Sequence, residues 1–176
     1  MIITISGPTG SGKTTVARGL AERFQMRHIS AGEVFRRMAE ERGLSLLEFS
    51  KLAEGDATLD REVDERQRAM AREGNAIVDG RLSGWLLEAD LKIWLKAPLE
   101  VRAARVAKRE GKDYDVALRE TREREESELG RYKRIYKIDL RDLSPYHVVL
   151  ETSLWDAEKI VEIVGVMVEG HKEPVR

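Results

Sequence analysis

The sequence contains no cysteine among its 176 residues. That absence excludes a disulfide scaffold and any metal site built from thiolates. Histidine is also scarce, because only His28, His147 and His171 occur and their spacing makes no ligand cluster. We expect each of these histidines to be structural or solvated.

The sequence also lacks an excess of one charge and a long apolar run. Its 31 basic and 32 acidic residues give a net charge of −1, so no overall field attracts nucleic acid or an anionic membrane surface. No apolar run approaches the roughly 18 residues of a membrane span, and the chain opens on a strand-like segment rather than on a leader. We therefore expect a cytoplasmic, soluble monomer that binds neither nucleic acid nor a membrane.

A phosphate-binding motif stands close to the start of the chain. Residues 7–14, called the P-loop below, match G-x-x-x-x-G-K-[ST] in full and follow the apolar run 2–5. Glycines at this spacing let backbone N–H groups point at phosphate oxygens, and the next helix adds the positive end of its dipole. The motif predicts an ATP site in which Lys13 reaches the β- and γ-phosphates and Thr14 reaches Mg²⁺. The predicted ATP-binding residues are Gly7, Pro8, Thr9, Gly10, Ser11, Gly12, Lys13, Thr14 and Thr15.

Short apolar runs alternate with longer helical stretches, which is typical of an α/β fold. After the P-loop, Val16, Leu20 and Phe24 recur at helical spacing, so we expect that helix to pack on a sheet. We predict one domain over 1–176 with the three-layer fold of P-loop NTPases, in which helices flank a five-stranded parallel sheet. The predicted strands are 2–6, 26–30, 75–79, 91–95 and 146–150.

Two polar segments interrupt this alternation. Residues 31–74, called the acceptor insertion below, read as two or three helices that begin at Gly32, after a Ser45 cap and near Asp60. An excursion of that length between strands usually carries a binding site.

The second segment, 99–145, reads as two helices separated by a break at Gly111, Lys112 and Asp113. Two helices joined by such a break are typical of a movable lid, which we place at about 105–131.

The third predicted strand ends in Asp79, and Gly80 and Arg81 follow it. In P-loop proteins an acid at the carboxyl end of a strand orients Mg²⁺ or its waters. A turn-forming Asp-Gly pair is the alternative interpretation of Asp79. Arg81 is suited to hold a substrate phosphate with two parallel hydrogen bonds.

Two sets of charged residues recur at helical spacing. They are Arg102, Arg105 and Arg109, and then Arg124, Glu128 and Arg131. Each set could be a solvated, salt-bridged surface. In a protein that binds a triphosphate, we predict that Arg105, Arg124 and Arg131 act as catalytic residues with Lys13 by closing over the transferring phosphoryl group. For Arg102 and Arg109 both interpretations stay open.

Other nucleotide-dependent classes are excluded by missing motifs. No Asn-Lys-x-Asp sequence for guanine is present, which argues against a GTPase. The G-x-G-x-x-G and H-R-D patterns of protein kinases are absent as well.

Three later segments carry a family resemblance. Residues 30–36, Ser-Ala-Gly-Glu-Val-Phe-Arg, resemble the segment of nucleoside monophosphate kinases that opens their acceptor-binding insertion. Residues 79–81 resemble the D-G-R of cytidylate kinases, and residues 124–131 resemble their R-x-x-x-[DE]-x-x-R element in the short form typical of archaea. The resemblance runs through essentially the whole chain.

The resemblance implies an acceptor site beside the ATP site. Arg36 and Arg81 would hold the acceptor phosphate, Ser30 and Gly32 would line its segment, and the arginines of the third element would reach phosphates. Glu128 would reach the acceptor ribose. Bacterial cytidylate kinases carry a base-reading acid directly after D-G-R, where this chain has Leu82. Asp60 and Asp64 are candidates to accept from the cytosine amino group, unless they are an ordinary acid pair at a helix start.

The predicted reaction is transfer of the ATP γ-phosphoryl group to CMP or dCMP, with Mg²⁺ as the cofactor, bound by Thr14 and, through water, by Asp79. A kinase for AMP or UMP is the alternative within the same chemistry. A P-loop switch that binds ATP without phosphorylating a nucleotide is the alternative of another class. The arginine faces and the long insertion favour the enzyme, because a switch needs neither.

Overall fold

The computed structural model describes residues 1–171, apart from the side chains at positions 46, 47 and 50. Its centre is a sheet of five strands in the order β2-β3-β1-β4-β5. All four pairings between neighbouring strands are parallel. The strands are β1 Ile2–Ser6, β2 Arg27–Ser30, β3 Ala76–Asp79, β4 Leu91–Lys96 and β5 Val148–Glu151.

The helices cover both faces of this sheet, as a parallel sheet requires. They are α1 Lys13–Phe24, α2 Ala31–Glu41, α3 Leu46–Gly55, α4 Ala57–Ala71, α5 Ser83–Leu86, α6 Leu99–Glu110, α7 Tyr114–Tyr136 and α8 Ala157–Glu169. The predicted fold class is therefore confirmed. The strand limits differ from the prediction by one or two residues; for example, β3 starts after Asn75, whose φ of 45° belongs to a turn.

One face of the sheet packs against α1 and α8. Ile3 and Ile5 on the central strand are fully buried there, together with Leu20 of α1 and Val164 of α8. The apolar stripe predicted for the first helix therefore lies on the sheet. Packing this helix firmly matters for the site, because its first residue is Lys13.

The acceptor insertion forms α2, α3 and α4 around a small core of its own, which includes Met38, Phe49 and Val63. A capping box on Ser45 starts α3, as the Ser45 cap predicted. The third helix begins earlier than the predicted start near Asp60, because the Asp56 side chain accepts from the backbone N–H of Thr58 and caps it. Asp60 therefore lies in the first turn of α4.

The break between α6 and α7 lies where the sequence predicts it. Gly111 ends α6 with a φ of 62°, and the Asp113 side chain caps α7 by accepting from the backbone N–H groups of Asp115 and Val116. The second helix continues to Tyr136, beyond the predicted end of the lid at 131. We call α7 the lid helix.

Within residues 1–171, no helix is both long and apolar enough to cross a membrane.

A substitution at Gly84 tests how tightly α5 packs against the ring of Tyr146. A Cβ atom at this position would lie 2.2 Å from Cε1 of the buried Tyr146 ring. We expect Gly84→Ala to lower the free energy of unfolding by roughly 1–3 kcal/mol through overpacking. Gly130→Ala in the lid helix is the matched control, since no atom lies within 4 Å of its added Cβ; it should raise stability by about 0.5–1 kcal/mol. Urea unfolding measures both, and an unchanged midpoint for Gly84→Ala would contradict this packing.

Candidate active site

The P-loop connects β1 to α1 and lies very close to its neighbours. A Cβ atom on Gly7 would lie 2.3 Å from the backbone oxygen of Leu95, and one on Gly10 would lie 2.5 Å from the backbone oxygen of Arg102. Gly10 also has a φ of 79°. Only glycine fits both positions, which explains why the motif needs this residue type there.

The carbonyl groups of the P-loop are held from behind. Arg102 Nη1 donates to the oxygen of Thr9 at 3.2 Å, and Arg105 Nη1 donates to the oxygen of Gly10 at 3.2 Å. The Thr152 hydroxyl, which follows β5, donates to the oxygen of Ser11 at 2.9 Å. These three acceptors therefore face protein donors rather than the place where an anion would bind.

Lys13 is half-buried at the mouth of the loop, and its Nζ donates to the oxygen of Pro8 at 3.3 Å. Burial, and next the charge of Arg81, lower the pKa of Lys13 to about 7. A neighbouring anion would favour the charged ammonium and oppose both effects. The position is thus suited to phosphate.

Asp79 lies at the carboxyl end of β3 and is 2% exposed. Its Oδ1 accepts from the hydroxyls of Thr14 and Ser30, each at 3.2 Å. Its Oδ2 is 2.6 Å from Nε2 of His28. The side chain is therefore fixed beside the P-loop threonine, and it is not the exposed acid of a simple Asp-Gly turn.

An open cavity of about 1110 Å³ extends from the P-loop to the acceptor insertion and under the lid helix. The predicted site residues that line it are Thr9, Gly10, Lys13, Thr14, Thr15, Ser30, Gly32, Arg36, Asp60, Asp79, Arg81, Arg124, Glu128 and Arg131. Residues far apart in the sequence thus meet in one space.

Arg81 lies between the P-loop and the lid helix. Its guanidinium contacts the Thr9 hydroxyl and the Glu128 carboxylate. Burial, followed by the charges of Arg124 and Arg131, lowers the pKa of Arg81. An anion at this point would relieve the repulsion among the three cations.

The lid helix supplies two further arginines to the cavity. Arg124 Nε donates to Glu128 at 3.2 Å on the helix surface. Arg131 Nε lies 3.0 Å from Oδ2 of Asp60, an ion pair between the lid helix and α4 whose atoms are not aligned as a hydrogen bond. Arg109 also lines the cavity, which favours the site interpretation for this residue.

Arg105 does not join Arg124 and Arg131. Its guanidinium donates to Gly10 and to both oxygens of Thr152, and it is not among the residues that line the main cavity. The structure therefore places Arg105 behind the P-loop, and its contact with a phosphate stays a prediction. Ser11 of the P-loop is fully buried, and Gly7 and Pro8 line a smaller neighbouring cavity instead.

Sequence reasoning missed several residues that position the site. They are His28 beside Asp79, Thr152 behind Ser11, and Gln67, whose side chain donates to the backbone oxygen of Asp79 at 2.9 Å. His28 stands two residues before Ser30, so the two share one face of β2. That alternation was a usable signal, but it needed the knowledge that β2 pairs with β3.

The fold and the cavity define a P-loop phosphotransferase. The family model of the "Cytidylate kinase-like family" matches residues 2–154. A cytidylate kinase of Methanocaldococcus jannaschii is 51% identical over 178 aligned positions, which cover 98% of this chain and 100% of the relative. A cytidylate kinase of Pyrococcus horikoshii is 48% identical, with 99% of this chain and 91% of the relative covered. The chain belongs to the cytidylate kinase-like family.

Solved structures agree on the fold. The shikimate kinase of Acinetobacter baumannii in complex with shikimate superimposes with a TM-score of 0.64 at 18% identity, covering 97% of this chain and 94% of that one. The shikimate kinase of Aquifex aeolicus reaches 0.59 at 17% identity, with 97% of each chain covered. At these identities the likeness concerns the fold alone.

A substitution at Arg102 tests whether its side chain holds the P-loop in place. It is 5% exposed and donates to Ala97, to Thr9 and, at 2.7 Å, to Glu125 of the lid helix. We expect Arg102→Met to leave the buried oxygens of Ala97 and Thr9 without this donor, to lower the free energy of unfolding by roughly 2–3 kcal/mol, and to weaken ATP binding.

Isothermal titration with ATP and urea unfolding measure the two effects of Arg102→Met. Arg119→Met, at an exposed position of the lid helix, is the matched control and should change neither quantity. Unchanged ATP affinity in a destabilised Arg102→Met protein would show that Arg102 supports the fold without shaping the loop.

Proposed function

We propose that the protein is a cytidylate kinase, which transfers the γ-phosphoryl group of ATP to CMP or dCMP and yields ADP and CDP or dCDP. Membership of the family supports this reaction, as do the full-length relatives named cytidylate kinase at 51% and 48% identity. The observation that carries it is the single cavity that joins Lys13 of the P-loop to Arg36 of the acceptor insertion. One continuous space lets two phosphate groups approach each other in line.

The donor side is built from the P-loop. Its backbone N–H groups and Lys13 would hold the β- and γ-phosphates. The residues fit Mg²⁺: the Thr14 hydroxyl would be its ligand, and Asp79, 3.2 Å from that hydroxyl, would hold one of its waters. Within the described chain no cluster of three or more acidic or histidine side chains could hold a metal alone, which suits an ion that keeps water and phosphate ligands. When bound, Mg²⁺ would neutralise phosphate charge.

The acceptor side would use Arg36 and Arg81 for the CMP phosphate. Arg36 is exposed on α2 and lines the cavity, and Arg81 stands next to the P-loop. Ser30 and Gly32 lie at the turn from β2 into α2, and Glu128 reaches the same space from the lid helix. The arrangement brings an acceptor phosphate toward the γ-phosphate.

Chemistry at this site needs positioning more than proton transfer. An oxygen of the CMP phosphate attacks the γ-phosphorus while the bond to the ADP oxygen breaks, and the attacking oxygen is already an anion. Lys13, Arg81, Arg124 and Arg131 would neutralise the transferring group, so no general base is assigned. Closure of the lid helix would exclude water, which otherwise competes as acceptor.

Two alternatives are less well supported. A switch that only binds ATP does not need the acceptor insertion, whose Arg36 lines the same cavity as the P-loop. A kinase for AMP or UMP would use the same phosphate contacts and differ in how the base is read. The absence of nucleic-acid or membrane partners remains a proposal that the balanced charge of −1 supports. A monomeric state and a cytoplasmic location remain proposals as well.

A coupled assay of ADP formation across AMP, CMP, UMP, GMP and their deoxy forms tests the function. We expect CMP and dCMP to give the highest kcat/KM. A preference for AMP or UMP would contradict the proposed acceptor, and ADP formation that is independent of any monophosphate would favour the switch.

A substitution at Arg36 distinguishes the acceptor site from the donor site. Arg36→Ala should remove charge-assisted hydrogen bonds worth about 1.5–3 kcal/mol each, and so raise the KM for CMP by roughly ten- to a hundredfold. The KM for ATP should barely change. Arg37→Ala is the matched control, because Arg37 is exposed on the same helix and is not among the residues that line the cavity. If the KM for ATP moves instead, Arg36 serves the other substrate.

A further inference from the structure

The inner face of α4 carries two carboxylates one helical turn apart, Asp60 and Asp64, and both line the acceptor half of the cavity. Each faces a different residue of the lid helix. Asp60 contacts Arg131, and Asp64 contacts Tyr136. Since a cation faces one acid and a neutral hydroxyl the other, the two acids have different chemistry.

The negative charge of Asp60 is already paired with the positive charge of Arg131. It is 7% exposed, and its Oδ2 lies 3.0 Å from Arg131 Nε. Burial raises the pKa of Asp60, and the charge of Arg131 opposes that rise. Its main task is therefore to orient Arg131 across the gap between α4 and the lid helix.

Asp64 lacks such a cation. Within residues 1–171 the hydrogen bond that its carboxylate accepts comes from the Tyr136 hydroxyl, on Oδ2. Burial raises the pKa of Asp64 to about 6, and the Asp60 carboxylate adds to the rise, while the hydrogen bond from Tyr136 and the charges of Arg68 and Arg131 oppose it. An ionised carboxylate has about four lone-pair sites. Asp64 thus retains the capacity to accept from a ligand.

The cavity that Asp64 lines also has apolar and aromatic side chains. They are Phe35 of α2, Val63 of α4, which precedes Asp64 and is 7% exposed, and Tyr132 of the lid helix, whose ring centroid lies 6.4 Å from that of Tyr136. A nucleotide whose phosphate lies at Arg36 and Arg81 would have its base among these apolar and aromatic side chains. Asp64 then supplies a charged acceptor beside these apolar and aromatic side chains.

We propose that Asp64 is the specificity-determining residue for the acceptor base, and that it accepts a hydrogen bond from the exocyclic amino group of cytosine. The assignment rests on the proposed cytidylate kinase function and identifies how that site reads its base. A carbonyl oxygen in place of the amino group, as in uracil, would bring two acceptors together and leave both unpaired. The adenine amino group meets no such penalty, so Asp64 separates CMP and AMP from UMP and GMP.

Asp64→Asn tests the assignment, because an amide can turn its NH₂ group toward a carbonyl. We expect kcat/KM to fall about tenfold for CMP and to rise about tenfold for UMP, so the CMP/UMP ratio falls about a hundredfold. Asp60→Asn is the matched control on the same helix. It removes the partner of Arg131, so the rates with CMP and UMP should fall together and their ratio should stay within about twofold of wild type.

A second measurement uses the wild-type enzyme. A protonated Asp64 can donate to the uracil carbonyl, so the ratio of CMP to UMP affinities, titrated calorimetrically from pH 8 to pH 5, should be highest at pH 8 and fall as the pH drops through about 6. Changes in the two nucleotides' phosphate groups cancel in this ratio. The groups that face Asp64 are Asp60 and Arg68 from α4, and Arg131 and Tyr136 from the lid helix. The fall should persist in Asp60→Asn and vanish in Asp64→Asn.

The outcomes separate the assignment from the function. An active enzyme whose CMP/UMP ratio is the same in wild type and in Asp64→Asn overturns the role of Asp64 alone. An enzyme that phosphorylates no monophosphate overturns the proposed function, and the role of Asp64 with it. If Asp64→Asn does not fold, the wild-type pH series decides, and a ratio that is flat from pH 8 to pH 5 counts against Asp64.

Discussion

The site depends on the attachment of the P-loop to the elements behind it. Three successive carbonyl groups, those of Thr9, Gly10 and Ser11, accept from the side chains of Arg102, Arg105 and Thr152. When the carbonyl oxygen of a peptide unit is held on one side of the loop, the N–H group of that unit points to the opposite side. The donors from α6 and from the end of β5 thereby keep carbonyl oxygens away from the phosphates. Gly7 and Gly10 make this close packing possible, because a Cβ atom at either position would collide with a backbone oxygen.

Local charge pairs, rather than a net charge, define the cavity. The chain carries a formal charge of −1, yet after burial the charges of Arg81 and Arg124 lower the pKa of Lys13, and those of Arg124 and Arg131 lower the pKa of Arg81. Glu128 and Asp60 offset part of that repulsion by contacting Arg81 and Arg131. Substrate phosphates would replace these internal acids as partners. Balanced composition and strong anion recognition are therefore compatible.

Much of the fold and part of the site could be predicted from the sequence, because their signals are local. The P-loop is a contiguous motif, and the Ser45 cap and the Gly111 break each depend on a few neighbouring residues. The predicted family and fold class are confirmed by the matches and by the parallel sheet. A helical spacing shows which residues share a face but not what that face meets.

The remainder depended on long-range packing. Arg105 was predicted to close over a phosphate with Arg124 and Arg131, but α6 turns it toward the back of the P-loop. The contact of His28 with Asp79 required the pairing of β2 with β3, across 51 positions of sequence. The contact of Tyr136 with Asp64 spans 72 positions and joins the lid helix to α4. No local pattern encodes contacts of this kind.

The lid helix is one uninterrupted element of 23 residues, and it contacts Arg102 through Glu125, Asp60 through Arg131 and Asp64 through Tyr136. From Glu125 to Tyr136 the helix rises about 16 Å. An unbroken helix of that length is stiff, so a displacement of one end would also displace the other end. A substrate that repositioned this helix at one half of the cavity would therefore also change its contacts at the other half, so the lid helix links the donor half to the acceptor half.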